Sequence, residues 1–266
     1  MMKTLRRETP RRSLLNILTS DCSRCRGLCC VGLYFSAADG FPVDKDAGVR
    51  CAHLLPDCRC DIHSELEGRG MKGCMAFDCL GAGQRVVAGG GTGAEQAERF
   101  PAVWRFHQTL WYLHEALCLL PAEPIWSKLE SLLDEGDYEA PATAVPCDLD
   151  GYEARASVLL HRAWSLTREA VGRAAPAGDR GDFLGKDFKR ADLSGADFAM
   201  ALLIAANLSG CKLYGANLLG ADLRDADIRD ADLSESLFLT QAQVNSARGD
   251  RTTILPAALC RPESWR

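Results

Sequence analysis

Residues 182–238 read DFLGKDFKRADLSGADFAMALLIAANLSGCKLYGANLLGADLRDADIRDADLSESLF. An apolar side chain returns at every fifth position without a break, from Phe183, Phe188, Leu193 and Phe198 through to Ile228, Leu233 and Phe238. Two positions earlier stands a small residue, from Ala191, Ala196 and Ala201 through Cys211 and on to Ser236, with Lys186 the exception at the start. A period of five fits neither the helix nor the strand. Both series face inward only if the chain turns a corner every five residues, so that each unit is one side of a square.

This pattern resembles the pentapeptide-repeat family, A(D/N)LxX. The resemblance implies a right-handed quadrilateral β-helix over 182–240 with twenty residues per turn, so that twelve repeats make three coils, stacked at strand spacing of about 4.8 Å into a ladder about 15 Å long. Phe183, Leu203 and Leu223 would then fall in one inward column, and Phe198, Leu218 and Phe238 in another. A solenoid end left open exposes core and backbone edge. The tail 241–266 departs from the period and carries Val244, Leu255, Pro256, Leu259 and Trp265, so it is expected to cap the last coil. Cys211 is expected as a small buried core residue. Some members of the family mimic duplex DNA and act on DNA gyrase through an acidic surface. In this chain acidic residues over 182–235 outnumber basic ones only ten to six, and the two are interleaved. Many of the Asp residues also precede the central apolar residue, where the family places Asp or Asn for turn hydrogen bonds. The expected role of the solenoid is therefore a scaffold that meets another protein through a face of the β-helix. A gyrase-interacting DNA mimic is the lesser alternative.

Upstream, apolar residues return at spacings of three and four. Phe100, Val103, Trp104, Leu110, Trp111 and Leu117 mark an amphipathic helix over about 95–120. Pro121 and Pro124 end it and open a second helix through Leu129 and Leu133 to Gly136, and a third is expected over about 151–171. These form a small all-α middle unit over 94–174, followed by a linker over 175–181. His107 and His114 stand seven apart on the first helix, and packed histidines are the expectation there. Residues 1–19 are rich in Arg and are read as a basic tail.

The remaining region, 20–93, holds nine of the thirteen cysteines: Cys22, Cys25, Cys29, Cys30, Cys51, Cys58, Cys60, Cys74 and Cys79. It is rich in Gly and Asp, shows little periodicity, and closes on Ala88-Gly-Gly-Gly-Thr-Gly93, read as a flexible joint because no Lys-Ser/Thr follows to make a phosphate loop. The Arg-rich start lacks the apolar run of an export signal, and no stretch has the length and apolarity of a membrane span, so the chain reads as cytoplasmic. In a reducing compartment clustered thiols point to metal ligands before disulfides. Cys22-x2-Cys25 is the spacing that brings two thiolates to one ion. Cys29 and Cys30 are adjacent, so both serve only where the chain bends sharply or where they face different ions. Cys58-x-Cys60 makes a second close pair, and His53 and His63 stand as further candidate ligands or hydrogen-bond donors to ligands.

Cys22-Ser-Arg-Cys25-Arg-Gly-Leu-Cys29-Cys30, followed by Cys58-Arg-Cys60-Asp-Ile-His63, resembles the CxxCxxxCC proteins described as zinc- or iron-chelating. That resemblance implies that the four N-terminal cysteines are signature ligands and that the later ones complete one or more sites. The second half lacks the Arg-Pro that usually follows Ile-His. Nine thiols do not divide evenly, since two four-ligand sites leave one over. Structural zinc is favoured by closed thiolate sets, with iron or an iron–sulfur cluster as the alternative. The architecture is thus multidomain: a Cys-rich metal-binding domain, a small all-α unit and a three-coil β-helix.

A net charge near −5 and a pI near 5.6 argue against a general nucleic-acid binder, which needs a basic surface. Asp57, Asp61, Glu65 and Asp78 lie near the cysteines, yet none stands at a spacing that identifies a reaction. The reading leans to a metal-stabilised interaction protein. Its rival is an iron or iron–sulfur enzyme whose solenoid recruits a partner or substrate.

Overall fold

The computed structural model describes residues 4–41, 43–136, 145–172 and 181–265. Apart from Gly181, the linker expected over 175–181 lies outside these. The chain divides into two compact units, one of Met1–Pro10, Glu115–Lys128 and Val158–Arg266, the other of Arg11–His114 and Leu129–Ser157.

The helices in chain order are α1 (Arg12–Ile17), α2 (Leu28–Gly32), α3 (Lys72–Ala76), α4 (Ala82–Ala88), α5 (Gly93–Leu117), α6 (Trp126–Glu135), α7 (Leu149–Val171) and α8 (Gln241–Ser246). A 3-10 turn over Leu120–Ile125, with Pro121 and Pro124, separates α5 from α6. The long helices lie where the spacing of apolar residues puts them. They do not form a domain of their own, because the division between the units falls within α5, α6 and α7. Their apolar residues complete other cores: Phe100 and Val103 of α5 pack with Leu28, Ala82 and Val86 of the cysteine-rich unit.

In the first unit the five-residue period becomes a four-sided ladder. Parallel bridges link Asp182 to Leu202 to Asp222, Asp187 to Asn207 to Asp227, Asp192 to Lys212 to Asp232, and Asp197 to Asn217 to Leu237. Each step is twenty residues, so one bridge falls on each side of each coil. At each corner the amide three residues on donates to the central residue's carbonyl, as Ala191 N does to Phe188 O at 2.9 Å. Except at Glu235, the residue just before that amide sits at positive φ, as in a type II turn, and is either Gly or a strained residue such as Arg190, Met200 or Asp225. The Asp or Asn before each central residue accepts from the amide two positions on, at 3.0–3.2 Å from Asp187, Asp192, Asn207 and Asp227.

The central and small residues of the coils form one continuous core, and Cys211 is buried in it, donating to Phe188 O at 2.9 Å. Phe183, Phe188 and Phe198 meet edge to face with centroids 5.6–6.0 Å apart. Beyond Thr240 the spacing stretches, but pairing continues on two sides, from Asp227 to Arg248 and from Asp232 to Ile254. Before these pairings, α8 opens on a capping box of Thr240 and Gln243. The Gln243 amide donates to Leu218 O and Ala221 O, both at 2.8 Å, and so supplies carbonyls of the third side with donors. Val244 and Trp265 join the core, with Gly249 leaving room for the indole.

The Arg-rich start is not a tail. Arg6 pairs antiparallel with Leu119, and its guanidinium takes both oxygens of Glu115, at 3.1 and 2.8 Å, together with Ser236 O at 2.7 Å. Leu5 is buried, and Glu235 accepts from Leu5 N and from the Thr4 hydroxyl. A pairing between residues more than a hundred positions apart has no local sequence signature, which is why the charge alone suggested a solvated segment.

The glycine run after α4 is likewise a fixed turn. Gln96 Nε2 donates to Gly90 O and Gly91 O, and Thr92 and Glu95 bond reciprocally at the start of α5. Among the described residues, no helix is long and apolar enough to cross a membrane.

Candidate metal centre

Cys22 and Cys25 lie on a tight turn. Asp21 caps it by accepting from Ser23 N at 3.0 Å, and Gly27 at φ 65° turns the chain into α2. The amides of Leu28, Gly27 and Arg26 donate toward the Cys25 sulfur and oppose the rise that burial imposes on its thiol. Gly83 on α4 closes the other side. A Cβ there would stand 2.7 Å from Cys25 Sγ and 3.8 Å from Cys79 Sγ, so only glycine lets the helix approach. Ser20 Oγ lies 3.2 Å from Cys79 Sγ and is anchored by Asp78. Cys22, Cys25, Cys29 and Cys79 together line a cavity of about 60 Å³ with Phe77, Gly83, Gln84 and Phe100.

Cys30, the neighbour of Cys29 on α2, belongs to another group. Cys51 N donates to Cys30 O at 2.9 Å, and Leu54 bridges to Cys60 across a hairpin whose turn holds Cys58. Cys74 stands on α3. Burial pushes its thiol up to about 12, with the charges of Cys30, Cys51 and Cys60 adding to the rise. Cys60 feels Cys30 and Cys51 in the same way, and burial is the largest cause of its rise. The groups meet at Cys29 and Cys30, whose sulfurs are 3.9 Å apart. Hydrogen bonding between them raises Cys29 well above the ordinary thiol and lowers Cys30 to about 7, the latter helped by Lys45 and Arg50.

Lys45 was not singled out by the sequence. Its ammonium is buried and donates to three carbonyls, Leu33 at 2.6 Å, Val49 at 2.7 Å and Asp46 at 3.0 Å, with the Phe35 ring 4.4 Å away. Carbonyls satisfy its donors but leave its charge, which acts on Cys51 and Cys30. His107 on α5 was also expected only as a packed residue. It is fully buried, and its Nδ1 donates to Leu80 O at 2.6 Å, fixing the turn directly after Cys79. Burial lowers its pKa to about 4, so the ring stays neutral.

The histidines named as candidate ligands stand elsewhere. His53 Nδ1 lies 3.0 Å from Asp61 Oδ1, and His63 is exposed in the turn His63–Glu65. Cys58 occupies the hairpin tip at φ 67°, its sulfur 4.0 Å from Pro56 O. All nine cysteines of the region are free thiols. Among the described residues, no three or more His, Cys, Asp or Glu side chains are closed into a geometry that holds an ion. By type the donors suit a thiophilic metal, since thiols are soft ligands and backbone amides hydrogen-bond to the sulfurs of Cys25 and Cys60. A larger depression of about 220 Å³ on the solenoid is lined by Lys189, Arg190, Arg229, Asp230 and Asp250. It is open and mixed in sign, and Arg229 is already held by Asp227.

The pentapeptide-repeat sequence model matches residues 201–238 in eight copies, on the stretch that forms the square ladder. The chain belongs to the pentapeptide-repeat family. A right-handed β-helix is the fold of that family, and the repeat region has its form. Over 265 residues the chain is 44% identical to an uncharacterised protein, YybG, of Bacillus subtilis strain 168, spanning 94% of this chain and 95% of that one. Solved structures with a partial likeness to this chain include pentapeptide-repeat proteins. One from Nostoc PCC 7120, alr5209, is 31% identical with a TM-score of 0.19, over 38% of this chain and 94% of its own. QnrB1, a plasmid-mediated fluoroquinolone resistance protein, is 17% identical with a TM-score of 0.21, over 32% of this chain and 38% of its own. The chain thus spans less than two thirds of the length of QnrB1.

Proposed function

We propose that the cysteine-rich region binds a thiophilic metal, zinc in the first instance, and that the pentapeptide-repeat solenoid serves as a scaffold for another protein. The observation that supports the metal reading is the set of nine free thiols in this region, four of which (Cys22, Cys25, Cys29 and Cys79) line one cavity, with amide donors at Cys25 and, through Ile62 N, at Cys60. A Gly- and Asp-rich segment with so small an apolar core gains folding energy from such an ion. Free thiols suit a reducing, cytoplasmic setting.

The scaffold reading is favoured over a DNA mimic by what the solenoid's carboxylates do. Asp222 and Asp227 take Arg224 and Arg229, and the Asp side chains along the sides cap turn amides. Side chains committed this way make a poor stand-in for a ladder of free phosphates. The reading leans to a non-enzymatic protein. Elemental analysis and an absorption spectrum of anaerobically purified protein test the metal half. Colourless protein carrying zinc, unfolding on chelation, supports it; brown protein with iron and acid-labile sulfide turns the reading to an iron–sulfur protein; metal-free folded protein refutes it.

A further inference from the structure

The geometry points to two separate four-thiol metal sites, Cys22–Cys25–Cys29–Cys79 and Cys30–Cys51–Cys60–Cys74, joined at the adjacent pair Cys29–Cys30, with Cys58 serving neither. This rests on the metal-binding reading and sharpens it from a cluster to a partition.

Helix α2 makes the division. Successive residues on an α-helix point about 100° apart, so Cys29 and Cys30 face different neighbours although their sulfurs are 3.9 Å apart. Cys29 lines the same cavity as Cys22, Cys25 and Cys79. The backbone bond from Cys51 to Cys30 and the Leu54–Cys60 bridge bring the other thiols to Cys30 instead. Apart from the Cys29–Cys30 contact, the thiols that act electrostatically on Cys22, Cys25 and Cys29 are all of the first set, and those that act on Cys60 and Cys74 are all of the second. Cys58 is turned out of this grouping by its left-handed backbone at the hairpin tip.

The sites also differ in charge. A divalent ion held by four thiolates carries a formal double negative charge, and Lys45, its own donors already used by carbonyls, acts most on Cys51 and Cys30 of the second set and less on Cys29 of the first. The first set has Asp21 and Asp78 as its charged neighbours. The sites are therefore expected to release metal at different chelator concentrations.

The test uses the full-length protein, purified anaerobically and loaded with zinc, with zinc counted and each cysteine's alkylation followed by peptide mass spectrometry. Two zinc ions per chain are expected. Under graded chelator the protected thiols should become reactive in two blocks of four, with Cys58 reactive throughout. Cys22→Ser should keep one zinc and protect Cys30, Cys51, Cys60 and Cys74, and Cys51→Ser should do the converse. Cys58→Ser should keep both. Loss of zinc in Cys58→Ser, or exposure of all eight thiols together, overturns the partition while leaving metal binding in place. The graded-chelator arm needs no variant to fold. Wild-type protein that takes up no zinc, with all thiols reactive, overturns the metal reading itself.

Discussion

Replacing Gly83 by alanine sets local helix preference against the site. Gly83 lies within α4, where alanine stabilises a helix by about 1 kcal/mol relative to glycine. The same methyl would stand 2.7 Å from Cys25 Sγ, whereas ordinary contact begins at 3.4 Å, so the sulfur or the helix must retreat by roughly 0.7 Å. Overpacking of this kind costs about 1–3 kcal/mol, which cancels or outweighs the helical gain in the metal-free protein. The larger effect falls on the ion, because ligand distances tolerate only about 0.2 Å. Gly83→Ala should therefore lose zinc at the Cys22–Cys25–Cys29–Cys79 set and keep it at the other, lowering zinc content from two ions to one with little change in helical circular dichroism. Retention of both ions with a raised melting temperature would refute the close packing of α4 against Cys25, and with it the first site.

Other consequences are open to direct measurement. Glu115 and Arg6 form a buried bidentate pair, so Glu115→Gln should destabilise by about 3–5 kcal/mol in urea titration, while the apolar double replacement Arg6→Met/Glu115→Met should recover most of that loss. His107 is buried with a pKa lowered to about 4, so the unfolded state takes up its proton first as pH falls. Stability is full above the unfolded value of about 6.5 and falls by up to about 3 kcal/mol on approaching pH 4. His107→Asn, which keeps a donor for Leu80 O, should flatten that slope in metal-free protein, and an unchanged slope would remove His107 as its source. Phe198→Ala should cost about 3–5 kcal/mol, because the ring is fully buried between Phe183 and Phe188. The full chain should leave gyrase supercoiling unchanged at micromolar concentration; inhibition there would revive the DNA-mimic reading.

What the sequence made legible followed from repetition. A five-residue period leaves one regular solution, and the columns through Phe198, Leu218 and Ala226 lie in the core it implies. The helices were legible because spacing of three and four persists over many turns. Features that depend on distant pairing were not. Arg6 gives no sign of Glu115, 109 positions away, so a basic start looked like a tail. The proposed four-and-four division of thiols has no local sequence signature for the same reason. Spacing shows Cys22 with Cys25, but only the packing of α4 brings Cys79 to them, and only a backbone bond places Cys51 by Cys30. His53 and His63 looked like ligands because they neighbour Cys51 and Cys60 in sequence, yet one is taken up by Asp61 and the other faces solvent. Lys45 and Gly83 belong to no metal-site motif. One matters for its carbonyl bonds and the other for having no side chain.

The most direct test is the native mass of the full-length protein, purified anaerobically without added chelator. The account predicts a mass raised by two metal ions and reduced by the thiol protons they displace, returning to the plain chain mass with loss of fold in the cysteine-rich unit when the ions are stripped. A single folded species at the metal-free mass, unmoved by chelator, would contradict it.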